Sequence, residues 1–422
     1  MIRQRAGKQP SKTDGHFVAS HNDSETTHQR RQRKEHISVW IRYFWIIFTF
    51  AMFSALFSKR TRHGLYVRSG SNSNDLLINT INANGNPRFV TIVMPSVVNP
   101  QARPFRLSNI AKTWGPTSRA VYVVHSVDEF SEGANNLLST TSKNNPYPQL
   151  LKVPDNINVE MGVERLDMVI RTVHKDVNPD FAFFVNDHTF VIPDNLCKFL
   201  NDRDSADDLY AGHALKGKQE TIFNSGAAGY VLSRSTMEKL IAEWDTPNSK
   251  CSASGASKWI QGNPGLLTAK CFDEVLKIPV VDTRDKNLSH IFHAFGLVRS
   301  VTGNVDEWYI NKHDALDGAL GVDPVYHHKP QDGAMCCSSS TVSFHYVEGL
   351  ESVALWKVLE TVHSEPTMST EEIKKLINDV WPVGRNELGF YSHGLPNSNV
   401  WWNGIVEVVR KIAIAADPQK SC

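Results

Sequence analysis

The sequence predicts an α/β fold in which helices pack on a mostly parallel central sheet, preceded by one transmembrane helix. Three short apolar runs are typical of buried strands, namely Arg88–Met94, Ala120–His125 and Phe181–Val185. The stretches between them carry apolar residues at helical spacing, and such alternation of strands and helices favours a parallel sheet. A long apolar run near the N-terminus predicts the membrane helix.

The predicted helices lie between and after these strands. Phe105–Trp114 follows the first strand, and Val159 to Val173 carries apolar residues at a helical period, which predicts an amphipathic helix. The C-terminal part of the chain contributes three more helical stretches: Glu351–His363, Ser369–Val380 and Val400–Ala416.

One strand leads directly into a polar triplet. Phe181–Val185 is followed at once by Asn186, Asp187 and His188. Ligands of parallel α/β sheets bind beyond the carboxyl ends of the strands. We therefore expect the chemistry of this protein at residues 186–188.

The apolar run at 37–57 reads ISVWIRYFWIIFTFAMFSALF, which meets the ~20 residues that a membrane helix needs. A cleaved signal peptide is the alternative, but the run begins only at residue 37, far from the N-terminus for a signal peptide, and has no evident cleavage site. The large C-terminal body favours a short cytosolic tail and a lumenal domain.

The predicted divisions are a basic tail (1–36), the anchor (37–57), a stem (58–87), a globular domain (88–350) and a helical extension (351–422).

The charge distribution argues against a nucleic-acid partner. Residues 1–63 carry 12 Lys/Arg and 4 Asp/Glu, which leaves 33 basic and 40 acidic residues in the remainder of the chain. The basic excess therefore lies beside the apolar run, and the body is mildly acidic. A protein that binds duplex nucleic acid needs a basic face on its folded domain.

Four segments, in this order, resemble the core 1 β1,3-galactosyltransferases of glycosyltransferase family 31. They are IAKTWG (Ile110–Gly115), FFVNDHTFVIPDNLCKFL (Phe183–Leu200), FNSGAAGYVLS (Phe223–Ser233) and MCCSSSTVSFHYVEG (Met335–Gly349). VDTRD…HIFHAFG (Val281–Gly296) is also similar to the family. The resemblance implies a GT-A-type nucleotide-sugar-binding fold over residues 88–350, held in the Golgi or endoplasmic reticulum membrane as a single-pass type II protein.

The resemblance also implies an activity, its ligands and their sites. The expected reaction moves galactose from UDP-galactose to an O-linked N-acetylgalactosamine or related acceptor, with inversion and a β1,3 linkage. The expected metal is Mn²⁺, held by Asp187, His188 and His345. The expected nucleotide-sugar contacts are Asn186, Asp187, His188, Ser225, Gly226, Gly229 and Tyr230. The expected acceptor contacts are Trp308 and Tyr309, and the expected disulfide joins Cys251 to Cys271.

The chain departs from the family pattern at two places. Asn186-Asp187-His188 stands where the family has an acidic triplet, so Mn²⁺ binding is either retained by the imidazoles or lost. Pro264 and Gly265 stand where the family has the carboxylate pair that supplies the catalytic base, so the base is unassigned. A second hypothesis is a catalytically silent family member that acts as a chaperone or binding partner of a related transferase, and a third is a lectin-like sugar binder that uses the same cleft. The expected protein partner is a second copy of the chain or a related transferase. Cys336 and Cys337 are expected to join other cysteines.

Overall fold

The computed structural model describes residues 87–96, 103–124, 149–153, 162–217, 221–252, 264–305, 309, 325–347, 349–381 and 399–418. All of them belong to one compact unit, residues 72–422. The predicted anchor at 37–57 and Trp308 lie outside the described residues. None of the described helices combines the length and apolar character that crossing a membrane requires.

The strands in the described residues are mostly short. They are β1 Phe89–Val93, β2 Ala120–Val124, β3 Gln149–Lys152, β4 Phe181–Val185, β5 Thr189–Val191, β6 Tyr210–Gly212, β7 Ala214–Lys216, β8 Ile222–Asn224, β9 Tyr230–Ser233, β10 Phe292–His293, β11 Val325–Tyr326 and β12 Ser343–His345. The three strands that the sequence predicts appear as β1, β2 and β4, each within two residues of the expected bounds.

The helices in the described residues lie between and after these strands. They are α1 Arg103–Lys112, α2 Val163–Thr172, α3 Pro193–Asn201, α4 Arg234–Asp245, α5 Pro264–Lys270, α6 Leu297–Thr302, α7 Leu350–Ser364, α8 Thr370–Val380 and α9 Asn399–Ala415. π-helical turns extend α2 through Val173–Val177 and α5 through Cys271–Leu276. Ser369 caps α8 in a reciprocal capping box with Glu372, which fixes where that helix begins.

The central sheet has the strand order β3-β2-β1-β4-β9-β6. β3, β2, β1 and β4 run parallel, whereas β9 is antiparallel to both β4 and β6. The prediction of a mixed α/β protein with a mostly parallel central sheet is therefore confirmed.

The sheet is buried on both faces because its strands alternate their side chains between two cores. In β4, Phe181 and Phe183 enter one core, which the C-terminal helices complete, while Ala182 and Phe184 enter the other. A strand covered on both sides reads as a continuous apolar run, as FAFFV does. The burial fixes β4 rigidly, and with it the residues that follow.

A smaller sheet brings a distant segment to the end of β4. β5 starts directly after the polar triplet and pairs antiparallel with β12, so that Thr189 lies opposite His345. β12 also pairs in parallel with β10. This register carries His345 to residues 186–188 across more than 150 positions of sequence.

Candidate functional site

The candidate site lies at the carboxyl edge of the sheet, where β1 and β4 end side by side. Val93 pairs with Val185, and Met94 N donates to Val185 O at 2.8 Å. One step further, Ser96 N donates to Asp187 Oδ1 at 2.9 Å. A backbone amide that follows β1 thus donates to the carboxylate that follows β4. Such a meeting is expected where the carboxyl ends of two parallel strands lie side by side.

Asn186 organises the turn that carries the triplet. Its Oδ1 accepts from His188 N at 3.1 Å and lies 2.9 Å from Thr189 Oγ1. This is the local side-chain-to-backbone bond with which Asn stabilises turns. The same turn leaves Asn186 and His188 half-buried, while Asp187 points inward.

The described structure pairs Asp187 with a cation. Arg106 Nη1 of α1 lies 3.4 Å from Asp187 Oδ2, and both side chains are buried. Burial raises the pKa of Asp187, while the Arg106 guanidinium and the Ser96 amide oppose that rise. A charge buried this deeply requires such partners. Arg106 and Ser96 contact Asp187, and the sequence alone did not predict either contact. The available signal was a basic residue on the helix that directly follows β1.

His345 reaches the triplet from β12. Its ring lies 5.1 Å from the ring of His188 and 3.7 Å from that of Tyr346, measured between centroids. Its Nδ1 donates to Ala294 O at 3.1 Å, so its Nε2 is the acceptor for Asn186 Nδ2 at 3.3 Å. Tyr346 has a φ of 57°, a left-handed conformation that bulky residues rarely adopt. Such conformations cluster at functional sites.

Both imidazoles are neutral at physiological pH. Burial, together with the Arg106 guanidinium, lowers the pKa of His188 to about 3. Burial also lowers the pKa of His345 well below its ordinary value, with contributions from His188, Arg106 and Arg299. Each charged side chain that shifts these two groups is cationic. Arg106 is itself paired with Asp187, whose Oδ1 lies 3.6 Å from His188 Nε2, so charges of both signs meet at this edge.

Two of the three side chains expected to hold Mn²⁺, Asp187 and His345, are engaged by neighbouring protein groups in this structure. Asp187 offers one oxygen to Ser96 N and the other to Arg106, and a divalent cation would have to approach that guanidinium. The Nε2 lone pair of His345 faces Asn186. Within the described part of the chain, no three His, Cys, Asp or Glu side chains stand close enough together to hold a metal ion. Metals of this class prefer several oxygen ligands.

The small-residue loop at 225–229 lies against the triplet. Thr189 Oγ1 donates to Ala227 O at 2.6 Å, and Ser343 Oγ donates to Ala228 O at 2.5 Å. Gly229 has a φ of 90°, and a Cβ there would lie 2.6 Å from the Phe183 ring. Packing against β4 therefore requires Gly229 to be glycine. At Gly226, which is exposed, a Cβ would meet nothing closer than 4.0 Å.

Three other predicted contacts, Ser225, Tyr230 and Tyr309, are buried side chains. Ser225 is buried and its Oγ accepts from Ala228 N. Tyr230 is also buried, stacked on Phe184 in β4. Tyr309 is 2% exposed, and its hydroxyl bonds to His213 Nε2 at 2.8 Å. Tyr309 is therefore buried in this structure, with its hydroxyl held by His213.

The cysteines form two disulfides in the described residues. Cys251 and Cys271 are joined, as the resemblance implied. Cys336 and Cys337 are bonded to each other, so the expectation that they join other cysteines is wrong. Pro264 and Gly265 open α5, and neither can accept a proton.

The comparison with known proteins finds a similar enzyme. The chain is 26% identical over 172 residues to glycoprotein-N-acetylgalactosamine 3-beta-galactosyltransferase 1 of Xenopus laevis. This chain is similar to a glycosyltransferase. The alignment covers 40% of the chain and 42% of the relative's length, so it supports a glycosyltransferase-like family without specifying the member. No protein-family model matches the chain.

Proposed function

We propose that the protein is a glycosyltransferase that moves galactose from UDP-galactose to an O-linked N-acetylgalactosamine or a related acceptor, with inversion and a β1,3 linkage. The observation that carries the proposal is the meeting of residues 186–188 with His345 at the carboxyl edge of the sheet. The name of the similar Xenopus enzyme contains this acceptor, a galactosyl group and a 3-beta linkage, and that similarity supports the choice of substrates.

The chemistry of the site suits the leaving group. Transfer forms a bond between the oxygen of an acceptor hydroxyl and the anomeric carbon, breaks the bond from that carbon to the diphosphate, and releases the hydroxyl proton to solvent. The departing UDP gains negative charge, which preorganised N–H donors and a positive potential stabilise. Asn186 and His188 are the half-buried side chains of the triplet, and Arg106 lies behind them. We assign the diphosphate to these residues, without a metal-dependent step.

The location that fits this activity is the secretory pathway. We propose that residues 37–57 anchor the chain in the Golgi or endoplasmic reticulum membrane, with residues 88–350 in the lumen. The disulfides Cys251–Cys271 and Cys336–Cys337 support this placement, because disulfides persist in oxidising compartments.

A turnover assay tests the proposal. The purified full chain is incubated with UDP-sugars and a peptide bearing N-acetylgalactosamine, in EDTA or in Mn²⁺, and the products are identified by mass spectrometry. We expect transfer of one hexose, most rapidly from UDP-galactose, and its loss in His345→Ala. Transfer that is unaffected by His345→Ala would place the chemistry elsewhere.

A second function is favoured by a specific observation. Asp187 is engaged by Arg106, and Pro264 and Gly265 occupy the positions expected of the catalytic base. Both features suit a silent member that binds a related transferase. A folded chain with no turnover for any UDP-sugar, but with stable association with such a transferase, would select this function.

A further inference from the structure

A cavity of about 130 Å³ lies beside the candidate site. Ala294 lines it, and the carbonyl of Ala294 accepts the hydrogen bond from His345. Phe295 also lines it, and its ring stacks at 6.0 Å on that of Tyr346. The cavity and the diphosphate site therefore share one segment of chain but have different linings.

Two imidazoles, those of His213 and His290, form part of the wall of the cavity. Burial lowers the pKa of His213 to about 4 and that of His290 to about 3, so both are neutral at physiological pH. His213 is fixed in one tautomer, because its Nδ1–H donates to Phe292 O and its Nε2 accepts from Tyr309. Neutral imidazoles combine a donor with an acceptor on one ring.

One ring nitrogen of His290 has no hydrogen-bond partner among the described residues. Its backbone is held on both sides, since His290 N donates to Cys336 O and His290 O accepts from Ser338 N. The side chain is 95% buried, yet within the described part of the chain its Nε2 has no hydrogen-bond partner. Leaving such a group unsatisfied costs about 1–3 kcal/mol. A ligand in the cavity would remove that cost.

The chemistry of the lining selects the class of ligand. Phe295 and Tyr309 offer aromatic surface, and the imidazoles offer hydroxyl partners. The charged residues Lys329 and Asp332 have opposite signs and lie exposed at the rim, so the lining favours neither an anion nor a cation. The volume holds about ten water-sized groups, the size of one sugar ring with its substituents.

We propose that this cavity binds the pyranose ring of an uncharged sugar, with His290 as a hydroxyl-binding residue that determines specificity. The inference deepens the proposed function and rests on it for the role of the sugar. Aromatic surface with a few convergent polar groups is the usual composition of such a pocket. The sugar is either the hexose of the donor or the acceptor glycoside, two sources with the same hydroxyl chemistry.

The test uses the full chain and three probes: methyl N-acetyl-α-galactosaminide, UDP and UDP-galactose. Binding is measured by saturation-transfer NMR and calorimetry for wild type, His290→Leu and the surface control His174→Leu. The leucine removes an unsatisfied buried group, so we expect it to preserve or increase the thermal midpoint. We expect it to weaken sugar binding at least tenfold, and His174→Leu to leave both unchanged. A purely structural histidine would not produce these opposite effects.

Competition identifies the source of the sugar. Displacement of the glycoside by UDP-galactose but not by UDP assigns the cavity to the donor hexose, and simultaneous binding assigns it to the acceptor. Equal sugar affinity in wild type and His290→Leu overturns the inference, as does the absence of glycoside and hexose contacts in wild type. If His290→Leu does not fold, His290→Gln replaces it, with the same expected loss of affinity.

Turnover separates this inference from the proposed function. If the chain binds the glycoside through His290 but transfers no sugar, the assignment of the cavity stands and the proposed transferase activity is refuted. Conversely, if wild type and His290→Leu transfer galactose with the same KM, the proposed transferase activity stands and the assignment of the cavity is refuted.

Discussion

Lowering the pH from 7.5 to 5.5 should destabilise this protein strongly, because its fold holds a set of histidines in the neutral form. The histidines whose pKa burial lowers most are His188, His213, His290, His293 and His345. In the unfolded chain each has an ordinary pKa of about 6.5. The unfolded state therefore takes up protons in this range while the folded state does not.

The sign and size follow from proton linkage. A depressed folded-state pKa contributes stability that is present above about pH 6.5 and is lost as the pH falls towards the folded-state value. With an unfolded pKa of about 6.5, each such histidine contributes about 1.4 kcal/mol less at pH 5.5 than at pH 7.5. The five together lower the free energy of unfolding by about 7 kcal/mol, which is comparable with the whole stability of a typical domain.

Urea unfolding followed by tryptophan fluorescence at pH 7.5, 6.5 and 5.5 measures this loss. We expect His290→Leu to remove about one fifth of the pH dependence. A wild-type stability that changes by about 1 kcal/mol or less across the range would refute the burial of neutral histidines.

Two further predictions concern the residues that build the site. Arg106→Gln leaves Asp187 buried without that cation, so we expect a loss of about 3 kcal/mol in urea unfolding. Asp187→Asn should restore part of that loss in the double variant, and strictly additive effects would contradict the pairing. Gly229→Ala introduces a methyl group 2.6 Å from the Phe183 ring at a φ of 90°, and we expect it to destabilise by about 2–3 kcal/mol. The matched change Gly226→Ala, in the same loop but exposed, should shift stability by less than about 0.5 kcal/mol. Equal effects of the two alanines would show that close packing does not require Gly229.

The sequence predicts the parts of this protein that repeat a local pattern. FAFFV is a continuous apolar run because β4 is covered on both faces, and its polar continuation indicates the functional edge of the sheet. The C-terminal helices follow from their apolar period and, at Ser369, from a capping residue. These features depend on neighbours in sequence, so a single chain reveals them.

The partners of the triplet depend on tertiary packing, which no local pattern records. Arg106 meets Asp187 because α1 packs beside the end of β4. Asp187, which the resemblance predicts as a metal ligand, therefore forms an ion pair in the structure. The bond between Cys336 and Cys337 was missed because adjacency in sequence says nothing about pairing. The role of His290 depends on a cavity that several distant segments enclose.

The binding of UDP shows whether residues 186–188 and His345 form one diphosphate site. Calorimetry of the full chain in EDTA should show saturable UDP binding. We expect His345→Ala and Asn186→Ala each to weaken that binding by tenfold or more, and His174→Gln to leave it unchanged. Failure of the wild-type chain to bind UDP, or unchanged affinity in both site variants, would contradict the account.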